Sequence, residues 1–168
     1  MRSISSKHLL GAALVAALPF LAGCGGGGGG DDASTDLRQY TGLWTGSCVK
    51  TGSQSETQVL EFRSNASTAS ELSGSKAVNV YGNTSCSGSP KKVTWFNLTA
   101  PLAGTRETAS GTAAMVMVQL SDANNPGALS SYTELLLLKD GRLYLGNRAA
   151  LQADGYPADV DLSRAFTR

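Results

Sequence analysis

From Leu37 to the C-terminus, apolar and polar residues alternate in short runs separated by turn-forming residues, and no helix-length period of 3.6 is sustained. The pattern predicts strands over residues 43–50, 57–63 and 76–81, then 92–99, 105–109 and 112–120, and finally 132–139, 142–147 and 164–167. In the second of these, Gln58, Leu60 and Phe62 alternate with Val59, Glu61 and Arg63. Asp140-Gly141 between two apolar runs is the strongest hairpin signal in the chain. Gly82-Asn83 and Gly88-Ser89-Pro90 read as breakers, residues 121–127 as a long turn, and residues 149–153 as a short helical turn. Leu135-Leu136-Leu137-Leu138 is too short for a helix beside that Asp-Gly turn, so it reads as a strand apolar on both faces. Short strands at this spacing predict an all-β domain, an antiparallel barrel or, second, a β-sandwich.

The first 24 residues follow a different rule. Arg2, Lys7 and His8 precede an apolar run from Leu9 to Phe20, and small residues close the segment. That is the order of a secretory signal, and the run is shorter than the about 20 residues a membrane span needs. Leu21-Ala22-Gly23-Cys24 resembles the bacterial lipobox, in which the Cys thiol is acylated and becomes the new N-terminus. The resemblance implies a signal peptide over 1–23, lipidation at Cys24 and attachment to a membrane through that lipid. Gly25, where such lipoproteins carry Asp for inner-membrane retention, implies sorting to the outer membrane. Residues 25–30 are all Gly and are followed by Asp31-Asp32-Ala33-Ser34-Thr35. Such a stretch has little to bury and a high ordering cost, so residues 24–36 read as a tether to a single β-rich domain over 37–168. A phosphate-cradling loop would need a preceding strand and a following helix with Lys and Ser/Thr, none of which is present.

Composition then removes function classes. The whole chain has 14 basic and 13 acidic residues; losing Arg2 and Lys7 leaves 12 basic, a net charge of −1. That balance predicts neither a nucleic-acid partner nor a polybasic membrane contact. With Cys24 acylated, Cys48 and Cys86 remain in an oxidising compartment, and one disulfide between them is the simplest account. His8, the only histidine, leaves with the signal. Ser-His-Asp and Cys-His catalysis and His-bearing zinc sites go with it. A carboxylate-dependent hydrolase remains, but Glu56, Glu61, Glu107, Glu134 and Asp140 lie beside turns or at alternating strand positions and read as a solvated face. Residues 154–161 hold four Asp or Gly-type turn residues, yet an EF-hand register would put Ala150 and Gln152 at ligand places. No metal and no cofactor is expected.

Tyr40, Gly42, Leu43 and Trp44 resemble the G-x-W segment that opens the first strand of lipocalins and related calycin barrels. The resemblance implies a calycin-like barrel, with Trp44 closing one end against an Arg of the last strand, Arg164 or Arg168. It also implies a lipid-tethered binding module that takes a small apolar ligand, with Trp95, Met115 and Met117 as candidate pocket residues; a monomer is expected from the strand pattern, and by elimination no catalysis is expected. The alternative is an interaction module such as an envelope inhibitor or assembly accessory, engaging a partner through the loop from Asn124 to Gly127.

Overall fold

The computed structural model describes residues 36–64 and 69–168. The signal segment, the lipobox with Cys24 and the tether up to residue 35 lie outside the described residues. A single 3₁₀ turn, Leu37–Tyr40, is capped by the Asp36 side chain, which accepts from the Arg38 N–H. Nine strands follow: β1 Gly42–Gly46, β2 Val49–Thr51, β3 Gln54–Ser64, β4 Glu71–Tyr81 and β5 Lys92–Thr108. The remaining four are β6 Gly111–Asp122, β7 Asn125–Lys139, β8 Arg142–Gly146 and β9 Val160–Thr167.

Each strand from β3 to β9 pairs antiparallel with its sequence neighbour, and β1 pairs with both β3 and β9. The sheet therefore closes on itself as an eight-stranded antiparallel barrel, with β2 as an extra strand on the far end of β3. Closure removes the exposed edges that a sandwich would leave. Register sends alternate side chains to opposite sides of the wall. Leu60 and Phe62, Leu98 and Ala100, Val116 and Val118, Leu136, Leu143 and Phe166 point inward and form one core. The outer face of β6 to β8 is buried too, because Tyr156 and Val160 fold back over Ala113, Leu135, Leu137 and Tyr144. Arg106 pins that covering segment: its guanidinium donates to the Pro157 carbonyl at 3.0 Å, pairs with Asp154 and lies over the Tyr156 ring. This double coverage is why four consecutive leucines sit in one strand.

Asp140 and Gly141 both have positive φ, 52° and 71°, as a two-residue hairpin turn of the favoured hand requires. Cys48 and Cys86 form a disulfide with Cα atoms 5.8 Å apart. It ties the break between β1 and β2 to the loop between β4 and β5. Ser55, fully buried, reinforces the same join by donating to the Asn83 carbonyl and accepting from the Cys86 N–H.

Several boundaries differ from the sequence expectation. The separate strands expected at 92–99 and 105–109 are one strand, β5, because a register shift between Leu102 and Gly104 absorbs Pro101 and Gly104. The long turn expected at 121–127 is a tight one, with Asp122 paired to Asn125. β4 begins at Glu71 rather than Lys76; Ser73, Gly74 and Ser75 hide a strand that lacks large apolar side chains. Residues 149–153 form no helix: Leu151 bridges Pro157 instead.

Candidate functional site: a charged cavity at one end of the barrel

The two ends of the barrel are built differently. At one, Leu37, Tyr40 and Trp44 are fully or almost fully buried and fill the interior. The Trp44 Nε1–H donates to the Tyr40 carbonyl at 2.7 Å, and the Tyr40 hydroxyl donates to the Leu136 carbonyl at 3.0 Å. Burial pushes the Tyr40 phenol up to about 12, so it stays a donor. Arg168, not Arg164, closes this end. Its guanidinium carbon lies 4.4 Å from the centre of the Trp44 ring, and its Nη2 donates to the carbonyls of Gln39 and Thr41. Arg164 belongs to the opposite end, paired with Asp161 at 3.4 Å.

That opposite end is open and holds a cavity of about 410 Å³. Its apolar wall includes Val49, Tyr132, Leu145 and Phe166, and its charged groups are Glu56, Lys76, Glu134, Arg148, Asp161 and Arg164. Glu134 is only 4% exposed. It stands where β8 parts from β7, two residues beyond Leu136 of the Leu136–Leu145 pair. There its Oε1 accepts from the Leu135 N–H at 3.0 Å and the Gly146 N–H at 2.8 Å. Those donors would otherwise be orphaned by the end of the ladder. Residue 146 must be Gly for this: a Cβ there would lie 2.6 Å from Glu134 Oε1 and 2.4 Å from the Pro157 ring. Burial raises the Glu134 carboxyl to about 7, outweighing the two N–H bonds and the nearby Arg148 and Lys76 charges.

Lys76 projects from β4 between Leu60 on β3 and Phe96 on β5, its register neighbours on the inward face. Its ammonium makes no hydrogen bond and no ion pair within 4 Å among the described residues. Burial lowers its pKa; Glu134 and Glu56 oppose that shift, and Arg148 adds to it. Arg148 stacks on Tyr132, with its guanidinium carbon 4.4 Å from the ring centre, and Nη1 donates to the Thr133 carbonyl at 3.3 Å. Burial also raises the Tyr132 phenol to about 12. Glu56 accepts from Gln58 at 3.4 Å.

The residues expected to line a pocket do not meet here. Trp95 and Met117 are on the outer face, 50% and 45% exposed, and Met115 packs outside the barrel against the cluster of Leu135 and Tyr156. The reason is parity. Inward positions on β5 and β6 are even-numbered, as Leu98, Val116 and Val118 show, so all three candidates fall on the other side of the wall. Conversely, Glu56 and Glu134 are not on a solvated strand face but in the cavity, while Glu61 pairs on the surface with Arg63 and Glu107 accepts from Thr112. Lys76 went unnoticed, although it shares parity with Leu72 and Val78 on β4. In the segment considered for calcium, Asp154 pairs with Arg106, Asp159 accepts from Val160, and Asp161 accepts from Ser163. Among the described residues no group of three acidic, Cys or His side chains is placed to hold a metal ion.

Comparison with known proteins finds no match: neither a family model, nor a curated protein, nor a solved structure is similar to this chain.

Proposed function

We propose that the protein is a non-catalytic binding module of the bacterial envelope, anchored through lipid on Cys24, that holds a small ligand in the open end of its barrel. The observation that carries this is the cavity itself. At about 410 Å³ it lies within the about 300–1,000 Å³ of ligand pockets and combines an apolar wall with a few convergent polar groups. The wall changes the ligand first expected from the sequence. A wholly apolar molecule would strip water from Lys76, Glu134 and Arg148 and return nothing, so the ligand is amphipathic. The Trp44–Arg168 stack, found where the calycin resemblance places it, supports a calycin-like reading.

A carboxylate-dependent hydrolase is the second reading, favoured by one observation: Glu56 and Glu134 share the cavity, and Glu134 has an acid's raised pKa. Against it, Glu134 Oε1 is already engaged by two backbone N–H groups.

The test is native mass spectrometry of the full-length protein extracted from envelopes in mild detergent, with Leu145→Trp as the cavity-filling control. A bound small molecule that disappears in Leu145→Trp is the expected result. An empty wild-type barrel that no amphiphile stabilises against heat overturns the binding reading. Turnover of an envelope substrate that Glu134→Gln abolishes favours the hydrolase.

A further inference from the structure

We propose that the cavity selects an anionic head group, received by the Lys76 ammonium inside the barrel and the Arg148 guanidinium beside it. This rests on the binding reading above and adds the ligand's charge.

The argument is an inventory of unused hydrogen-bonding capacity. An ammonium has three donors and a guanidinium five. Lys76 uses none of its donors, and Arg148 uses one, Nη1, toward the Thr133 carbonyl. On the acceptor side, Glu134 Oε1 already takes two backbone N–H groups, and Glu56 takes the Gln58 amide. Asp161 is engaged by Arg164 and by the Ser163 backbone. Lys76 therefore keeps all of its donors and Arg148 most of its fork; Glu134 and Glu56 each keep a second oxygen, but it is the two cations whose sets a ligand's acceptors would complete.

Position points the same way. The Lys76 stem runs between Leu60 and Phe96, so its head stands at the boundary between the apolar core and the cavity. A half-buried ammonium without a partner loses hydration, and a positioned anion offsets that loss with charge-assisted hydrogen bonds. Arg148 is held flat on Tyr132, which leaves the rest of its fork free for a carboxylate or phosphate. Glu56 and Glu134 also face the site and repel an anion when ionised. Burial counters that repulsion at Glu134 by favouring its neutral form near neutral pH.

Isothermal titration of the full-length protein with decanoate, decyl phosphate, decanol and decylammonium, which share one tail, isolates the head group; acetate supplies the head without the tail. Decanoate or decyl phosphate is expected to bind at least ten-fold more tightly than decanol and decylammonium, and acetate far more weakly. Lys76→Met should remove that preference while decanol binding persists, and Lys76→Arg should retain it. Both variants are first checked for wild-type circular dichroism. Equal affinity for all decyl compounds, a preference for decylammonium, or an undiminished preference in Lys76→Met overturns the inference and leaves the binding module standing. No binding of any decyl compound overturns both.

Discussion

The two ends of this barrel contrast the same device put to different uses. At the plugged end, Trp44 and Tyr40 are large side chains whose single polar atoms each reach a backbone carbonyl, and Arg168 lies over the Trp44 ring with its Nη2 on the carbonyls of Gln39 and Thr41. The buried polar atoms of Trp44 and Tyr40 are thus satisfied within the protein. At the open end, Lys76 has no partner, Arg148 has one weak bond, and Glu134 keeps its carboxyl partly neutral. Saturated polar groups make an end that is rigid and closed; unsaturated ones make an end that accepts something from outside. On the proposed reading, stability belongs to the first and recognition to the second.

If that division holds, the largest loss of stability comes from the plugged end. Trp44→Ala should cost about 3–5 kcal/mol, as emptying a packed core site does, read as a lowered denaturant midpoint. Lys76→Met should instead leave stability unchanged or raise it, since it removes a half-buried charge with no hydrogen bond or ion pair. A Lys76→Met loss as large as that of Trp44→Ala would erase the contrast.

Next comes the disulfide, which borders the open end near Ser47 and Val49. Replacing Cys48 and Cys86 by Ser should cost about 2–4 kcal/mol and leave the circular dichroism of the barrel intact. Loss of all strand signal at 25 °C would mean that the open end contributes more to folding than this comparison allows.

Glu134 sharpens the picture through pH. Its folded pKa is raised from 4.5 to about 7, so its contribution to stability is complete below pH 4.5 and is lost as pH rises through about 7. At about 1.4 kcal/mol per pH unit the loss amounts to at most about 3 kcal/mol. Glu134→Gln keeps an oxygen for the Leu135 and Gly146 N–H groups and cannot ionise. It should match wild type at pH 4.5 and exceed it at pH 7.5 in thermal melts. Asp154, held low by the Tyr156 N–H and by Arg106, acts only on the acid side of this window. Parallel pH profiles for the two proteins would show that the carboxyl is not buried as described.

The smallest effect is expected at Arg168. Arg168→Met removes the stack on Trp44 and two exposed hydrogen bonds, worth together about 1–2 kcal/mol. An altered ligand affinity in this variant, measured by titration, would show that the ends are coupled.

Much of the architecture was legible along the chain. The alternation in β3 and β6, the Asp140-Gly141 turn and the even count of cysteines left after Cys24 point to an antiparallel β domain with one disulfide, because period, turn chemistry and redox pairing are local properties. Gly42-Leu43-Trp44 marked the first strand and its buried Trp. The site was not legible in the same way. Strand alternation says that two faces exist but not which is interior, and here Lys76, Glu56 and Glu134 took the inside while Trp95 and Met117 took the outside. On β7 the usual cue was cancelled, because a segment more than ten residues further along covers the outer face and makes Leu135 and Leu137 as buried as Leu136. What the sequence alone determined is the all-β class, the Asp140-Gly141 hairpin and the crosslink, whereas the strand expected over 43–50 is divided into β1 and β2 and those expected over 92–99 and 105–109 are joined in β5. Only closure of the barrel decided which charges share a cavity, because strands far apart in sequence contribute them and nothing local records that they meet.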